Sequence, residues 1–568
     1  MWLSRIKKVS IFSLLVLLSA CSSVETPKQL TPISQVAPAA AVASAHPLAT
    51  QAGMDILSQG GNAFDAAIAV AASLGVVEPY SAGMGGGGFW LLYDASKDQY
   101  RFIDARETAP KAADKDYYLT ESGKVNRDKA INGPTAAGIP GQAAAFAHIA
   151  ENYGRLSLHK SLAAAIEQAE NGFAVNDYYR TLMGYRLDAI RRYPTSARIF
   201  LVDNQIPEKG YQLRQPELAK TLQAVANKGF DGFYGGDVAQ QLLSAVQQNG
   251  GHWTLEDLIN YKIIERTPIE VSYGGIKVIS APPPSSGGIA LVQMLNMLSY
   301  FQWQQLNKVD QTHLLTEIMR RAYLDRAEYL GDPDFISIPQ AELLSESRAK
   351  YWASSINMDK ATPSLSLQGP KNIEQGMHTT HFSVLDKDGN KVSATLSVNL
   401  PFGSAFTAAG TGVLLNNEMD DFSAKPGEPN AYGLVGSEAN AIAPGKRPLS
   451  SMTPTIIESP QQVAILGTPG GSRIISMVFL SVLEHLQDKP VTDWVSRPRF
   501  HHQYLPDLIE YEPASFTDLE LERLAARGHA LKNTNRAYGN MQAILWDKQK
   551  KEITTASDPR GEGEAQVD

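Results

Sequence analysis

The spacing of apolar residues divides the sequence into a helical part and a strand-rich part. Residues 62–76 (NAFDAAIAVAASLGV), 216–228 and 311–329 carry apolar side chains at helical intervals. The second of these segments starts with proline and is followed by Gly229, which are signals for the start and end of a helix. From about residue 46 to residue 377 the pattern is therefore mainly helical.

After residue 379 the apolar period becomes two. Residues 384–385, a turn at 386–390 and an alternating stretch at 392–398 predict a β-hairpin with one buried face. Further strand-like runs lie at 89–93, 453–458, 463–467 and 541–546, and residues 472–485 have the pattern of a helix. This mixture predicts two sheets packed face to face and covered by helices, with no domain boundary after residue 46.

Composition and charge narrow the functional classes. The 568 residues are 43% hydrophobic and 19% charged, which is typical of a globular protein. The net charge is -8 and basic residues cluster only at the extreme N-terminus, so nucleic acid is not an expected partner. The one cysteine, Cys21, excludes a disulfide framework, thiol catalysis and cysteine-ligated zinc in the rest of the chain.

The N-terminal segment has the pattern of an export signal. Three basic residues precede an apolar run at 9–18, which is too short to span a bilayer. The run ends in Leu-Ser-Ala-Cys, and small residues before a cysteine are similar to a bacterial lipobox, although an ordinary signal peptide is the alternative. We expect residues 1–20 to be removed, Cys21 to carry lipid and residues 21–45, rich in Pro, Ala, Ser and Thr, to form a tether. We therefore expect an exported, periplasmic lipoprotein. An aspartate directly after the lipidated cysteine commonly retains a lipoprotein in the inner membrane, so Ser22 at that position favours the outer membrane.

The glycine-rich segment 83–88 matches G-x-G-x-x-G, which in a strand–turn–helix context would indicate a dinucleotide site. Pro79 precedes it and the strand-like residues 89–93 follow it, so the context is wrong. We interpret the segment as a tight turn with close backbone packing. The sequence also lacks a P-loop motif and the G-x-S-x-G motif of α/β-hydrolases.

Histidines occur in two short groups, His378 with His381 and His501 with His502. Neither group is accompanied by the cysteine or carboxylate spacing of a zinc site. We therefore expect packed or hydrogen-bonded histidines, no metal site and no cofactor.

The segment 377–383 (MHTTHFS) lies where the pattern changes from helix to strand. Taken alone, its threonines are simply good strand formers. In the strand that follows the turn, however, a period of two places Thr395, Ser397 and Asn399 on one face. A row of hydroxyl and amide groups beside a threonine can orient a nucleophile.

These residues resemble the bacterial γ-glutamyltransferases (glutathione hydrolases) of the N-terminal nucleophile hydrolase superfamily. The resemblance extends from about Gly60 to the C-terminus. It is carried by GGGGF at 85–89, ARE at 105–107, PPPSSGG at 282–288, TTHFS at 379–383, DDF at 420–422, PLSSM at 448–452, PGGSR at 469–473 and RFHH at 499–502. In the strand after the turn the family pattern is Val-x-x-Thr-x-Thr-x-Asn, which Val392, Thr395 and Asn399 match. Only Ser397 departs from it, because it stands where threonine is usual.

The resemblance implies an α+β fold, a four-layer αββα sandwich, and a self-cleaving precursor. Thr379 would cleave the bond after His378, giving a large subunit (46–378) and a small subunit (379–568) that stay together as a heterodimer. The freed α-amine of Thr379, with an ordinary pKa of about 7.7–8.0, would then act as its own base. Gly470 and Gly471 would donate to the oxyanion, with Thr395 and Ser397 beside the nucleophile.

The resemblance also implies a substrate with a γ-glutamyl group. The α-carboxylate would be held by Arg106, Ser450 and Ser451, and the α-ammonium by Asp421, Asn399 and Glu418. The loop between residues 426 and 446 resembles a lid carrying Tyr432. The expected reaction is hydrolysis of γ-glutamyl amides such as glutathione, or transfer of the γ-glutamyl group to an amino acid or peptide.

Three alternatives stay open on the sequence. An acylase of the same family acting on a glutaryl amide is disfavoured, because a glutaryl group has no ammonium for Asp421 to bind. A poly-γ-glutamate processing enzyme is disfavoured by the resemblance to a lid. A binding lipoprotein without activity is disfavoured because the residues of the expected nucleophile, oxyanion and substrate sites are all present.

Overall fold

The structure is a computed structural model that describes residues 36–367, 379–428, 430, 431, 434 and 436–568. Cys21, His378 and Tyr432, which carry predictions above, lie outside the described residues. In the described part, strands β1 to β20 are Ala41–Ser44, Gly87–Asp94, Gln99–Ala105, Phe173–Ala174, Gln212–Leu213, Ile264–Arg266, Ile269–Tyr273, Ile276–Ser280, Thr380–Leu385, Lys391–Ser397, Thr407–Ala408, Val413–Leu414, Thr455–Glu458, Gln462–Gly467, Phe500–His501, Ile509–Tyr511, Leu531–Asn533, Gln542–Asp547, Glu552–Ser557 and Glu564–Val567.

The described helices, α1 to α18, are Pro47–Ser58, Ala63–Val77, Arg127–Ile131, Gln142–Asn152, Leu158–Asn171, Asp177–Arg191, Pro194–Phe200, Pro216–Lys228, Asp231–Tyr234, Gly236–Gln248, Leu255–Ile259, Gly287–Leu298, Lys308–Tyr329, Gln340–Leu343, Glu346–Ser354, Ile474–His485, Val491–Ser496 and Asp518–Ala526. The helices predicted near 62–76, 216–228, 311–329 and 472–485 are confirmed. None of the helices in the described ranges is both long and apolar enough to cross a membrane.

Two antiparallel sheets form the centre of the fold. The first has the strand order β20-β1-β9-β10-β2-β3-β6, and the second β19-β18-β14-β13-β8-β7. Helices α1, α2, α4, α5 and α8 contribute to the core on the outer face of the first sheet. Helices α12, α13 and α16 cover the outer face of the second. The order helix, sheet, sheet, helix is the predicted four-layer arrangement.

The predicted hairpin is present as β9 and β10, but the expectation of one buried face is wrong. Both strands are buried along their whole length. The polar face packs on the second sheet, where Ser393 Oγ donates to the carbonyl of Leu466 at 3.1 Å and Ser383 Oγ donates to that of Gln542 at 3.2 Å. The hydroxyl groups on the polar face of β9 and β10 therefore bond backbone groups of the second sheet rather than water.

Strands from both halves of the chain are mixed within each sheet. The early strand β1 lies between β9 and β20, and β8 pairs with β13 in the second sheet. A cut before residue 379 would therefore leave two chains joined by strand ladders. The helical pattern between residues 46 and 377 hid four strands of the two sheets besides the one predicted at 89–93, because short strands carry little periodic signal. They are β3, β6, β7 and β8.

The prediction that the tether extends to residue 45 is wrong, because the folded part of the chain begins before that residue. Residues Ala41–Ser44 form β1, which is fully buried and hydrogen-bonded on both edges. Alanine and serine are small enough to fit between closely packed layers, so a segment with few large apolar residues still joins the core. The described fold thus includes residues that the composition had assigned to a linker.

Candidate active site

Thr379 stands where the chain enters the middle of the first sheet. It directly precedes β9, which pairs with β1 on one side and β10 on the other. The residue is 6% exposed and lines two separate cavities. Its position is thus fixed by the strand ladders of β9, and a cavity borders it on each of two sides.

His381 lies two residues further along β9 and packs between the sheets. Its Nδ1 is 2.8 Å from Thr395 Oγ1 and its Nε2 is 3.3 Å from Ser383 Oγ. Burial lowers the pKa of His381 to about 3, so the ring is neutral. The ring lies against Gly467 of β14, where any Cβ would overlap it. His381 is therefore a packed histidine, as predicted, and it occupies the Thr395 hydroxyl that the sequence had placed beside the nucleophile.

The end of β10 brings two predicted residues to Thr379. Ser397 and Asn399 line the smaller of the two cavities together with Thr379. The Asn399 backbone has a φ of 73° and its N–H donates to Ser397 Oγ at 2.8 Å. Its Nδ2 donates to the Asn417 carbonyl at 2.9 Å. Asn399 is therefore beyond the strand, so its orientation comes from these contacts and not from strand alternation.

Arg106 follows β3 and is 1% exposed. Its Nη1 donates to Glu418 Oε2 at 2.6 Å and its Nη2 donates to Asp421 Oδ2. Nε donates to the Pro448 carbonyl at 3.2 Å. The two residues expected to hold opposite charges of a ligand are thus paired with each other. This pairing fills the site, and the cavity at Thr379 is only about 20 Å³, enough for about one water molecule.

Three carboxyl groups, those of Glu107, Glu418 and Asp421, surround the single guanidinium of Arg106. Burial raises the pKa of Glu418 to about 7, while Arg106 opposes the shift. Burial also raises the pKa of Glu107, which is 0% exposed, well above its ordinary value. Near neutral pH the cluster therefore takes up protons instead of carrying a negative charge on every carboxyl group.

A second arginine, which the sequence analysis missed, faces the same cavity. Arg326 on α13 donates from Nη2 to Ser451 Oγ at 3.1 Å and from Nε to Ser286 Oγ at 3.0 Å. It is 4% exposed and has no carboxylate within ion-pair distance among the described residues. Burial lowers its pKa to about 10. The sequence did contain a signal for this residue. Helix α13 carries three arginines among side chains that are otherwise suited to a buried core.

The two serines predicted at the site both line this cavity. Ser451 accepts the Arg326 bond, and Ser450 Oγ accepts the backbone N–H of Met452 at 3.1 Å. The Ser450 carbonyl accepts from Ser286 Oγ at 2.7 Å. These bonds hold the serine pair in one conformation beside Arg106.

Gly470 and Gly471 follow β14 and lead into α16 through a short 3-10 turn. Their φ angles are 146° and 56°, in the region that favours glycine. Gly471 lines the smaller cavity and Gly470 the larger one, and both cavities include Thr379. The two predicted oxyanion residues are thus next to the nucleophile, at the positive end of a buried helix.

The described part of the predicted lid lies over Asp421. Asn430 Nδ2 donates to Asp421 Oδ1 at 3.3 Å, and the Ala431 N–H donates to Asp420 Oδ2 at 2.8 Å. Leu434 lines the smaller cavity. The loop between residues 426 and 446 therefore contacts the site on the side of the carboxylates.

Buried histidines elsewhere are hydrogen-bonded. His501 and His502 bond neighbouring side chains, as predicted. His313, Glu317 and His529 have ligand atoms within 4.8 Å of one another, close enough for a metal ion. However, the two histidine rings are hydrogen-bonded to each other at 2.7 Å, and Glu317 is ion-paired with two arginines of α13. These positive charges oppose the binding of a cation.

The chain is similar in sequence and in structure to known proteins. Residues 49–567 match the family described as Gamma-glutamyltranspeptidase. The glutathione hydrolase proenzyme of Escherichia coli (strain K12) is 43% identical over 527 residues, which cover 91% of this chain and 90% of that protein. Cephalosporin acylase from Bacillus halodurans has a TM-score of 0.81 at 27% identity, covering 97% and 99% of the two chains. Helicobacter pylori gamma-glutamyltranspeptidase has a TM-score of 0.56 at 35% identity, covering 60% and 97%. These matches confirm the predicted N-terminal nucleophile hydrolase fold.

The contact between Gly467 and His381 yields a test of how β9 is positioned. Gly467→Ala would force the His381 ring and the start of β9 to move, at a cost of about 1–3 kcal/mol in the free energy of unfolding. Gly184→Ala in α6, where the added Cβ meets no atom within 4 Å, is the control. Thermal unfolding of both variants checks this, and equal melting temperatures would contradict it.

Proposed function

The chain belongs to the γ-glutamyltranspeptidase family, and from this premise we propose how its residues carry out the reaction. The protein is an enzyme, made as a self-processing proenzyme, that hydrolyses γ-glutamyl compounds such as glutathione or transfers their γ-glutamyl group to an acceptor. One observation supports the residue assignments above all others: Thr379 shares one cavity with both Arg106 and Asp421.

In our proposal the first reaction is self-cleavage. The Thr379 hydroxyl attacks the preceding carbonyl carbon, the peptide C–N bond breaks and an ester to Oγ forms. The hydroxyl proton passes to the departing nitrogen, so this step already frees the α-amine of Thr379. Water then hydrolyses the ester, which restores the Thr379 hydroxyl and leaves a carboxylate at His378. The two chains remain associated because each sheet contains strands from both.

The freed α-amine then serves as the base for the enzymatic reaction. It takes the Thr379 hydroxyl proton while Oγ attacks the γ-carbonyl carbon of the substrate. The N–H groups of Gly470 and Gly471 receive the oxyanion. When the C–N bond breaks, the departing amine takes the proton, and a γ-glutamyl ester remains on Thr379. Water or an acceptor amine attacks this ester in the second half of the cycle.

The charged cluster selects the glutamyl end of the substrate. An α-amino acid carries one carboxylate and one ammonium, so it can replace the Arg106–Asp421 pair by two ion pairs without changing the net charge of the site. The carboxylate then meets Arg106, Ser450 and Ser451, with Arg326 holding Ser451. The ammonium meets Asp421, with Glu418 and Asn399 nearby.

A glutaryl-amide acylase is the second candidate, because the fold is similar to cephalosporin acylase from Bacillus halodurans over nearly the full length of both chains. A glutaryl group has the carboxylate but no ammonium. It would leave Asp421 without a positive partner once Arg106 turned to the ligand, and a buried unpaired carboxylate is unfavourable. The buried acidic side of the cavity therefore supports the γ-glutamyl substrate.

We also propose that the enzyme is an exported, periplasmic lipoprotein attached to the outer membrane through Cys21. The support is the small-residue motif before the single cysteine of the chain and the apolar run that precedes it. One acyl chain binds a membrane only weakly, so stable attachment requires the several chains of a bacterial lipid modification.

The self-cleavage proposal predicts opposite results for two substitutions of Thr379. Thr379→Ala should remain a single chain without activity on γ-glutamyl-p-nitroanilide, because it has no hydroxyl. Thr379→Ser should still split, more slowly. Denaturing gels with N-terminal sequencing test this, and a small chain beginning elsewhere than residue 379 would contradict the assignment.

The assignment of Asp421 to the ammonium predicts a change of substrate preference. Asp421→Asn should lower kcat/KM for γ-glutamyl-p-nitroanilide about 10- to 100-fold, because it removes a charge-assisted bond of about 1.5–3 kcal/mol. Any activity on glutaryl-p-nitroanilide should not fall in parallel. Equal losses of kcat/KM on both anilides would show that Asp421 does not bind the ammonium.

The lipoprotein proposal predicts that Cys21→Ser abolishes the attachment of lipid to the chain. The variant should be recovered in the soluble periplasmic fraction or retained with an uncut signal segment, and it should not incorporate labelled fatty acid. Fractionation with fatty-acid labelling checks this. Labelling of the Ser variant equal to that of the wild type would contradict it.

A further inference from the structure

The larger cavity at Thr379 is not used by the glutamyl group. It has a volume of about 290 Å³ and is separated from the Arg106 cluster by Thr379 itself. Its wall is formed by Thr379, Pro469 and Gly470, by helix α6, by the segment between β17 and β18, and by Arg560. This volume is near the lower end of those of small-molecule binding sites.

The geometry of acyl transfer gives this cavity a role. At the tetrahedral carbon, Thr379 Oγ is one substituent and the oxyanion, directed to Gly470 and Gly471, is another. The glutamyl chain occupies the side of Arg106 and Asp421. The remaining substituent is the amine, and it needs space that borders both Thr379 and Gly470. The larger cavity borders both.

The charges on the cavity wall indicate what accompanies that amine. Arg560 is neutralised, with Nη2 at 2.6 Å from Glu512 and Nη1 at 3.0 Å from Asp558. Arg536, in contrast, has no ion-pair partner among the residues that the structure describes. Its Nη1 is 3.4 Å from Tyr185 Oη, and its guanidinium lies 6.0 Å from the centre of the Tyr185 ring.

Arg536 and Tyr185 are both exposed, with Tyr185 61% exposed, so they form the rim of the cavity. Tyr178 and the largely buried Tyr538 lie deeper. A ligand would thus meet an aromatic wall and one unneutralised guanidinium at the entrance. Guanidinium groups bind carboxylates by paired hydrogen bonds.

We propose that the larger cavity binds the leaving amine and the acceptor, and that Arg536 binds the carboxylate of an amino acid or short peptide there. The inference rests on the proposed function of Thr379 and adds the second substrate site. In the transfer step the acceptor nitrogen attacks the γ-carbonyl carbon of the ester. The new C–N bond forms, the C–Oγ bond breaks, and the Thr379 α-amine passes a proton from the nitrogen back to Oγ.

The test compares acceptors with and without a carboxylate. Wild type and Arg536→Met are assayed for transfer from γ-glutamyl-p-nitroanilide to glycylglycine and to glycylglycinamide. In the variant we expect the KM for glycylglycine to rise about five- to tenfold and the KM for the amide to stay within twofold. Arg536→Lys should restore part of the affinity, because it keeps the charge but not the paired donors.

Two controls separate this site from other effects. The Arg536→Met substitution should lower kcat/KM for hydrolysis of glutathione, whose leaving amine carries a carboxylate, at least fivefold more than kcat/KM for hydrolysis of γ-glutamyl-p-nitroanilide, whose leaving group is uncharged. Lys220→Met, which removes an exposed charge on α8, should change neither value. An unchanged preference for glycylglycine over its amide in Arg536→Met would overturn the proposal. A wild-type enzyme inactive on the anilide would overturn the proposed function itself, and this site with it.

Discussion

The site depends on the place where β9 begins. Because β9 lies between β1 and β10, hydrogen-bond ladders on both edges fix the residue that precedes it, and the contact between His381 and Gly467 fixes its distance from the second sheet. The backbone of β9 therefore positions Thr379, whose side chain makes no hydrogen bond to another side chain within the described ranges. The same ladders join the two halves of the chain, so breaking the bond before Thr379 need not disturb the strands that position it.

Electrostatics is the basis of the selectivity that we propose for the side of the site around Arg106. The Arg106 guanidinium is buried among acidic side chains, and such a cluster is stable only when the charges are matched or some carboxyl groups are protonated. A zwitterion keeps this balance when it enters, whereas a ligand with a single charge disturbs it. In the proposed function, preference for an α-amino acid end is thus a consequence of charge conservation in a water-poor cavity, in addition to individual hydrogen bonds.

Thr379 also separates two very different environments. On one side, the small charged cavity is filled by its own ion pairs. On the other, the larger cavity has aromatic walls and an open rim. Gly470 and Gly471, with backbone angles that favour glycine, each face one of them. The reacting carbon can therefore be reached from the second side while the first remains closed, which suits a reaction in which one group stays and another exchanges.

The sequence by itself determined the helices α2, α8, α13 and α16 and the β9–β10 hairpin. It also supplied most of the residues of the proposed site: Thr379, the glycine pair and the Arg106–Asp421 charges. These follow from short-range periodicity and from contiguous motifs.

Tertiary structure decided the rest. It buried both faces of the hairpin, placed β1 in the core, engaged Thr395 with His381, paired Arg106 with Asp421 and brought Arg326 to Ser451 and Arg536 to the second cavity. Each of these features depends on contacts between segments that are far apart in the sequence. The sequence does not show them, because the alternation of side chains along a strand indicates which way a residue points but not what packs against it.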